Sequence, residues 1–133
     1  MSMIQRGLAG ALGALIAANG LAMLLFPLAW YGAVPGVTST GPFNAHFVAD
    51  IGAAYLVTAA ALAWFAAEPL TAWPALAMGA LFLAAHAAIH LAGAFASPAC
   101  GALLLRDLPG VFLPALLASA LVLFPPLRQG ATR

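Results

Sequence analysis

The stretch FNAHFVADIGAAYLVTAAALAWFA, Phe43 to Ala66, decides the fold. At about 1.5 Å per helical residue it reaches across the ~30 Å hydrocarbon core of a bilayer. Asp50 is its one fully charged residue, and no proline interrupts it. It predicts a membrane-spanning helix. Three further apolar runs, bounded by proline, glycine or charge, lie at roughly 4–27, 71–96 and 108–125.

Composition agrees. Of 133 residues, 65% are hydrophobic and 5% charged, against roughly half and a quarter in a soluble domain. The expected fold is an all-α integral membrane four-helix bundle, a single transmembrane domain over residues 1–133. So short a chain places any function inside the bilayer or at its faces. A formal charge of +1 provides no basic surface for nucleic acid, which is excluded as a partner. The single Cys100 cannot close an intramolecular disulfide and reads as a small buried or interfacial residue. The first run has a basic residue ahead of it, as a secretion signal does. It is too long for a signal's apolar core and leads into no clear small-x-small cleavage site, so it reads as a spanning helix.

Arginine placement predicts the orientation, because cytoplasmic segments carry the excess positive charge. Arg6 precedes the first helix, and Arg128 and Arg133 follow the fourth, against Arg106 alone on the other side. An N-in/C-in topology follows. Trp30, Tyr31, Trp64 and Trp73 fall near helix ends, at head-group level. Thr71 and Asp107 read as N-caps, with Pro74 and Pro109 in the first turns behind them. Pro114 falls inside the fourth helix and should kink it, freeing the Gly110 carbonyl. In the first helix Ala9, Gly13 and Ala17, and Gly10, Ala14 and Ala18, repeat at four-residue spacing that lets helices approach closely.

Alternating helix directions then bring the polar residues to one half of the bundle. His46 and Asp50 descend from the outer end of the second helix, at depths of about 5 and 10 Å. His90 and His86 lie at about 9 and 15 Å in the third, and Asn19 at about 12 Å in the first. Arg106 and Asp107 close the set at the mouth of the fourth. Positions four apart share a helix face, so His46 with Asp50 forms one stripe and His86 with His90 another. Gly52, Gly79 and Gly93 leave space beside them. A strongly polar group facing lipid costs several kcal/mol by most estimates, so the two stripes are expected to face the interior and each other.

Three chemistries fit this set. His46, Asp50, His86 and His90 offer a complete first shell for a transition metal, whether copper, zinc or iron. Asp50 can instead stand behind a ligating imidazole and fix its tautomer. A haem b would take one histidine from each of the second and third helices, with Arg106 near its propionates and Asn19 among the polar groups around the cofactor. The pair HAAIH lacks the glutamate of HExxH, so a metalloprotease is not implied. A His–Asp pair near an interface also suits a quinone- or proton-handling site, which Tyr55 and Thr58 would extend. The alternative without chemistry is a polar lock that fixes helix register in an accessory or assembly subunit.

HFVADIGAAYL, followed a helix later by HAAIHLAGA, resembles small bacterial four-span membrane proteins of the DoxX-like kind. The resemblance covers chiefly the second and third helices. It implies four-helix architecture, residence in the bacterial inner membrane and an association with membrane redox complexes through quinol oxidation. Besides the lipid bilayer, the expected partners are other membrane subunits or further copies of the chain.

Overall fold

The structure is a computed structural model and describes residues 3–124. Arg128 and Arg133, on which the orientation largely rests, lie outside the described residues. Six α-helices run in order: α1 (Met3–Leu25), α2 (Pro27–Ala33), α3 (Ala45–Ala67), α4 (Pro69–Phe95), α5 (Cys100–Asp107) and α6 (Leu113–Leu123). A π-helical segment, Leu108–Phe112, joins α5 to α6. Four segments are therefore long and apolar enough to cross a membrane: α1, α3, α4 and the composite Cys100–Leu123. The protein is an all-α, multi-pass membrane four-helix bundle.

Two boundaries differ from the sequence reading. Helix α4 starts at Pro69, not after Thr71, because proline is preorganised for the first helical position. Thr71 does not cap. Its Oγ1 bonds within the first turn to the Glu68 carbonyl oxygen (3.1 Å) and Glu68 Oε2 (3.0 Å). Pro74 consequently sits inside the helix. The fourth span starts at Cys100, so Arg106 and Asp107 are helical and Asp107 is no cap. Their mutual ion pair lowers the cost of carrying both charges into a span. Pro109 lies within, and Pro114 just after, a widened turn in which the Leu113 N–H reaches the Leu108 carbonyl, five residues back. Neither proline can donate to an ordinary helical ladder, and the wide turn accommodates both.

Helix α1 packs most extensively on α3, and α4 lies against both α3 and α6. The closest approach of α1 and α3 is at Gly20 and Gly52: a Cβ on Gly20 would stand 2.8 Å from the Gly52 carbonyl oxygen. Gly52 thus admits α1 rather than leaving space beside Asp50. The core draws Leu12 and Ile16 from α1, Leu62 and Phe65 from α3, Leu76 and Leu83 from α4, and Leu121 from α6. Much of the remaining apolar surface, including Leu15, Val57, Leu81, Ile89 and Leu116, is exposed, as a lipid-facing bundle requires.

The end of the bundle that holds the N-terminus is tied across helices. Arg6 donates through Nε to the Ala66 carbonyl (2.8 Å) and through Nη2 to that of Ala67, meeting orphan carbonyls at the end of α3. Trp73 Nε1 donates to the Val122 carbonyl (3.1 Å). The opposite, distal end carries α2, the Val34–Asn44 connection and the Ala96–Ala99 turn.

Candidate functional site

The polar residues do gather toward the distal end, in a different combination from the expected one. On α3 the buried positions are Val48, Gly52, Tyr55, Thr58, Ala59, Leu62 and Phe65. His46 and Asp50 lie two residues from Val48 and Gly52, about 200° around the helix, and point away from the bundle. Their side chains are 90% and 62% exposed and meet only each other, Nε2 to Oδ2 at 3.4 Å. The convergence of His46 and Asp50 with His86 and His90 does not form, and the four-residue ligand set is not assembled.

His90 instead reaches the fourth span, and His86 lies beside it against Tyr55 of α3. The carboxylate of Asp107, 7% exposed, receives three hydrogen bonds. Arg106 donates from Nε to Oδ1 (2.6 Å) and from Nη2 to Oδ2 (3.0 Å). His90 Nδ1 lies 2.8 Å from Oδ2. A carboxylate held in an arginine fork is ionised and can only accept, so the proton of this bond belongs to His90 Nδ1, and in a neutral imidazole Nε2 is then the acceptor. Arg106 also packs against the Val34–Asn44 connection at Gly36, whose φ of +86° favours glycine and where any Cβ would collide with the guanidinium.

One turn deeper, the His86 ring lies 4.7 Å from that of His90, stacks on Phe82 and meets the edge of Tyr55. Among the described residues, neither His86 nor the Tyr55 hydroxyl takes part in a hydrogen bond. No buried side-chain nitrogen or oxygen lacks a partner, so their polar atoms remain accessible. The cluster is therefore a paired Arg106–Asp107–His90 triad with a half-buried, unbonded imidazole and a largely buried phenol, Tyr55, beside it.

The other expectations resolve individually. Asn19 belongs to a separate contact: Trp30 Nε1 donates to its Oδ1 (2.9 Å), joining α1 to α2. Arg106 is engaged by Asp107 rather than free for propionates. The imidazoles of His86 and His90 come from one face of one helix, too close to stand on opposite sides of a porphyrin. Among the described residues no three His, Cys, Asp or Glu side chains form a group able to hold a metal ion. Gly79 receives Thr58 against it, and Gly93 faces open space. The signal that could have redirected the α3 reading is the spacing Val48, Gly52, Tyr55, Ala59, Leu62, a continuous core stripe that excludes positions 46 and 50.

Comparison with known proteins finds no matching family model, no matching curated protein and no matching solved structure.

Proposed function

We propose that this is a bacterial inner-membrane protein that binds the head group of a quinone-class carrier and exchanges a proton with it in the outer half of the bilayer. The observation that carries the reading is the accessible, unbonded His86 set against a His90 whose tautomer Asp107 fixes. A neutral imidazole offers one donor and one acceptor, and histidine titrates near neutral pH. The His86 N–H or the Tyr55 hydroxyl donates to a ring carbonyl of the oxidised form, and a neutral His90 accepts through Nε2 from a ring hydroxyl of the reduced form, the electrons that separate the two forms coming from a redox partner of the carrier and not from this chain. The Arg106–Asp107 pair sums to no net charge, which suits a neutral ring better than an anionic head group. With the N-terminus in the cytoplasm, the cluster faces the outer side.

One observation favours a second reading, a transition-metal ion held by His86 and His90. A carboxylate behind a histidine is the usual support of a metal-bound imidazole, and Asp107 stands in that place. The remaining ligands would come from water or another chain.

One preparation separates these readings. In 15N-histidine NMR of the purified protein, a tailless benzoquinone should shift the His86 signal saturably, and His86→Ala should abolish binding. A stoichiometric metal in elemental analysis, with no quinone response, would replace this reading with the metal site. Neither response would leave the triad as a polar lock in an accessory subunit.

A further inference from the structure

Between α3 and α4 the surface opens into a groove of about 810 Å³, within the usual range for small-molecule sites. It runs from Trp64 and Ala75 at one end, past Ala61 and Gly79, to Ala54 and Phe82. Its lining is almost wholly apolar. The one hydroxyl, Thr58 Oγ1, is satisfied by the Ala54 carbonyl of its own helix (3.0 Å). The indole N–H of Trp64, at one end, is directed to Glu68 Oε2 (3.5 Å), so between its ends the groove suits hydrocarbon.

Its position gives it meaning. Ala75, Gly79, Phe82, His86 and His90 follow at four- and three-residue spacing along one face of α4. Phe82 belongs to both features: it lines the groove, and its ring stacks on His86 (centroids 6.3 Å) and meets the edge of Tyr55 (5.4 Å). The apolar trench thus ends at Phe82, whose ring touches the half-buried His86 and the largely buried Tyr55. From Ala75 to His86 the face extends about 16 Å.

We infer that the groove and the histidine cluster form one site for a single-tailed amphiphile of the quinone class, its ring at His86 and Tyr55 and its isoprenoid or alkyl tail along α3 and α4 toward Trp64. This rests on the head-group reading above and adds the tail. Continuity through Phe82 selects a molecule with both parts. The neutral triad disfavours a phosphate-bearing lipid. Because the surrounding lipid is as apolar as the groove, the tail gains packing and not hydrophobic transfer, so its contribution is modest.

The test compares a decyl-tailed benzoquinone with the same ring lacking its tail, in nanodiscs, reading the His86 15N signal. Ala61→Leu with Ala75→Leu fills the groove without touching a hydrogen-bonded group. The tailed molecule should bind wild type more tightly than the tailless ring, and the filled variant should lose about fivefold of that affinity while binding the tailless ring unchanged. His86→Ala should abolish binding of the tailless ring and weaken that of the tailed molecule, read by equilibrium partitioning of the quinone. Equal affinity for tailed and tailless rings, or a filled variant that binds both as wild type does, would overturn the tail site and leave the head-group reading standing. No saturable binding of either molecule would overturn both. An unchanged thermal midpoint in the filled variant would exclude misfolding as the cause of a loss.

Discussion

Asp107 is the residue on which the distal end turns. It is buried, ionised and satisfied by three hydrogen bonds, two from Arg106 and one from His90. Removing one partner of such a pair leaves the other charge uncompensated, which costs about 3–5 kcal/mol when burial is complete. Arg106 is 29% exposed and can recover some hydration, so Asp107→Asn should destabilise the bundle by about 2 kcal/mol. Thermal unfolding in a fixed detergent measures it. Asp50→Asn, which alters an exposed pair, should change stability by less than about 0.5 kcal/mol. Equal effects of the two substitutions would contradict this division of roles. The sequence shows why all these residues lie at one end, since helix direction alone sets their depth. It marks the buried face of α3 only through the apolar spacing Val48, Gly52, Tyr55, Ala59 and Leu62, with which the polar stripe competes. His46 and Asp50 obey the same four-residue spacing as the true core stripe, and the contact between α1 and α3 at Gly20 and Gly52 decides between the two faces.

At the scale of elements, the four spans were legible because length and apolarity are additive properties of a run, insensitive to partners. The start of the fourth was not. Arg106 and Asp107 read as loop residues because each alone is costly in a span, whereas their pairing with each other and with His90 is a tertiary fact. The turn at Leu108–Phe112 has the same character: the sequence shows two prolines, and the structure shows how one extra residue in the turn accommodates them. That residue also sets the angular position of α5 relative to α6. Pro109→Ala with Pro114→Ala restores both N–H donors and permits an ordinary ladder, which would rotate α5 by about 100° relative to α6. The expected result is loss of the His90–Asp107 bond with the helix content retained, seen as an altered His90 tautomer by NMR and an unchanged far-UV circular dichroism spectrum. A double variant that keeps the bond would show that the wide turn is not what aims Asp107.

For the whole molecule, the bundle has two unlike ends. One is fastened by Arg6 and Trp73 to backbone carbonyls, and the other holds the triad and the unbonded imidazole. The arginine count predicts that the fastened end faces the cytoplasm. In a Cys100→Ser background, Ser39→Cys should react with an impermeant thiol reagent from outside intact cells, and Glu68→Cys only after permeabilisation. Both reacting from the same side would contradict the crossing of α3, and a reversed pattern would move the site to the cytoplasmic leaflet.

The central claim is that His86 and His90 form their site with Asp107 of the fourth span and present His86 to a ligand. Its most direct test is 15N-histidine NMR of the reconstituted protein in wild-type, Asp107→Asn and Asp50→Asn forms, each titrated with tailless benzoquinone. The account predicts a His90 signal with its proton on Nδ1 that changes only in Asp107→Asn, and a His86 signal that moves with quinone in wild type and in Asp50→Asn. A His90 signal that follows Asp50→Asn and ignores Asp107→Asn, or a His86 signal unmoved at saturating quinone, would contradict it.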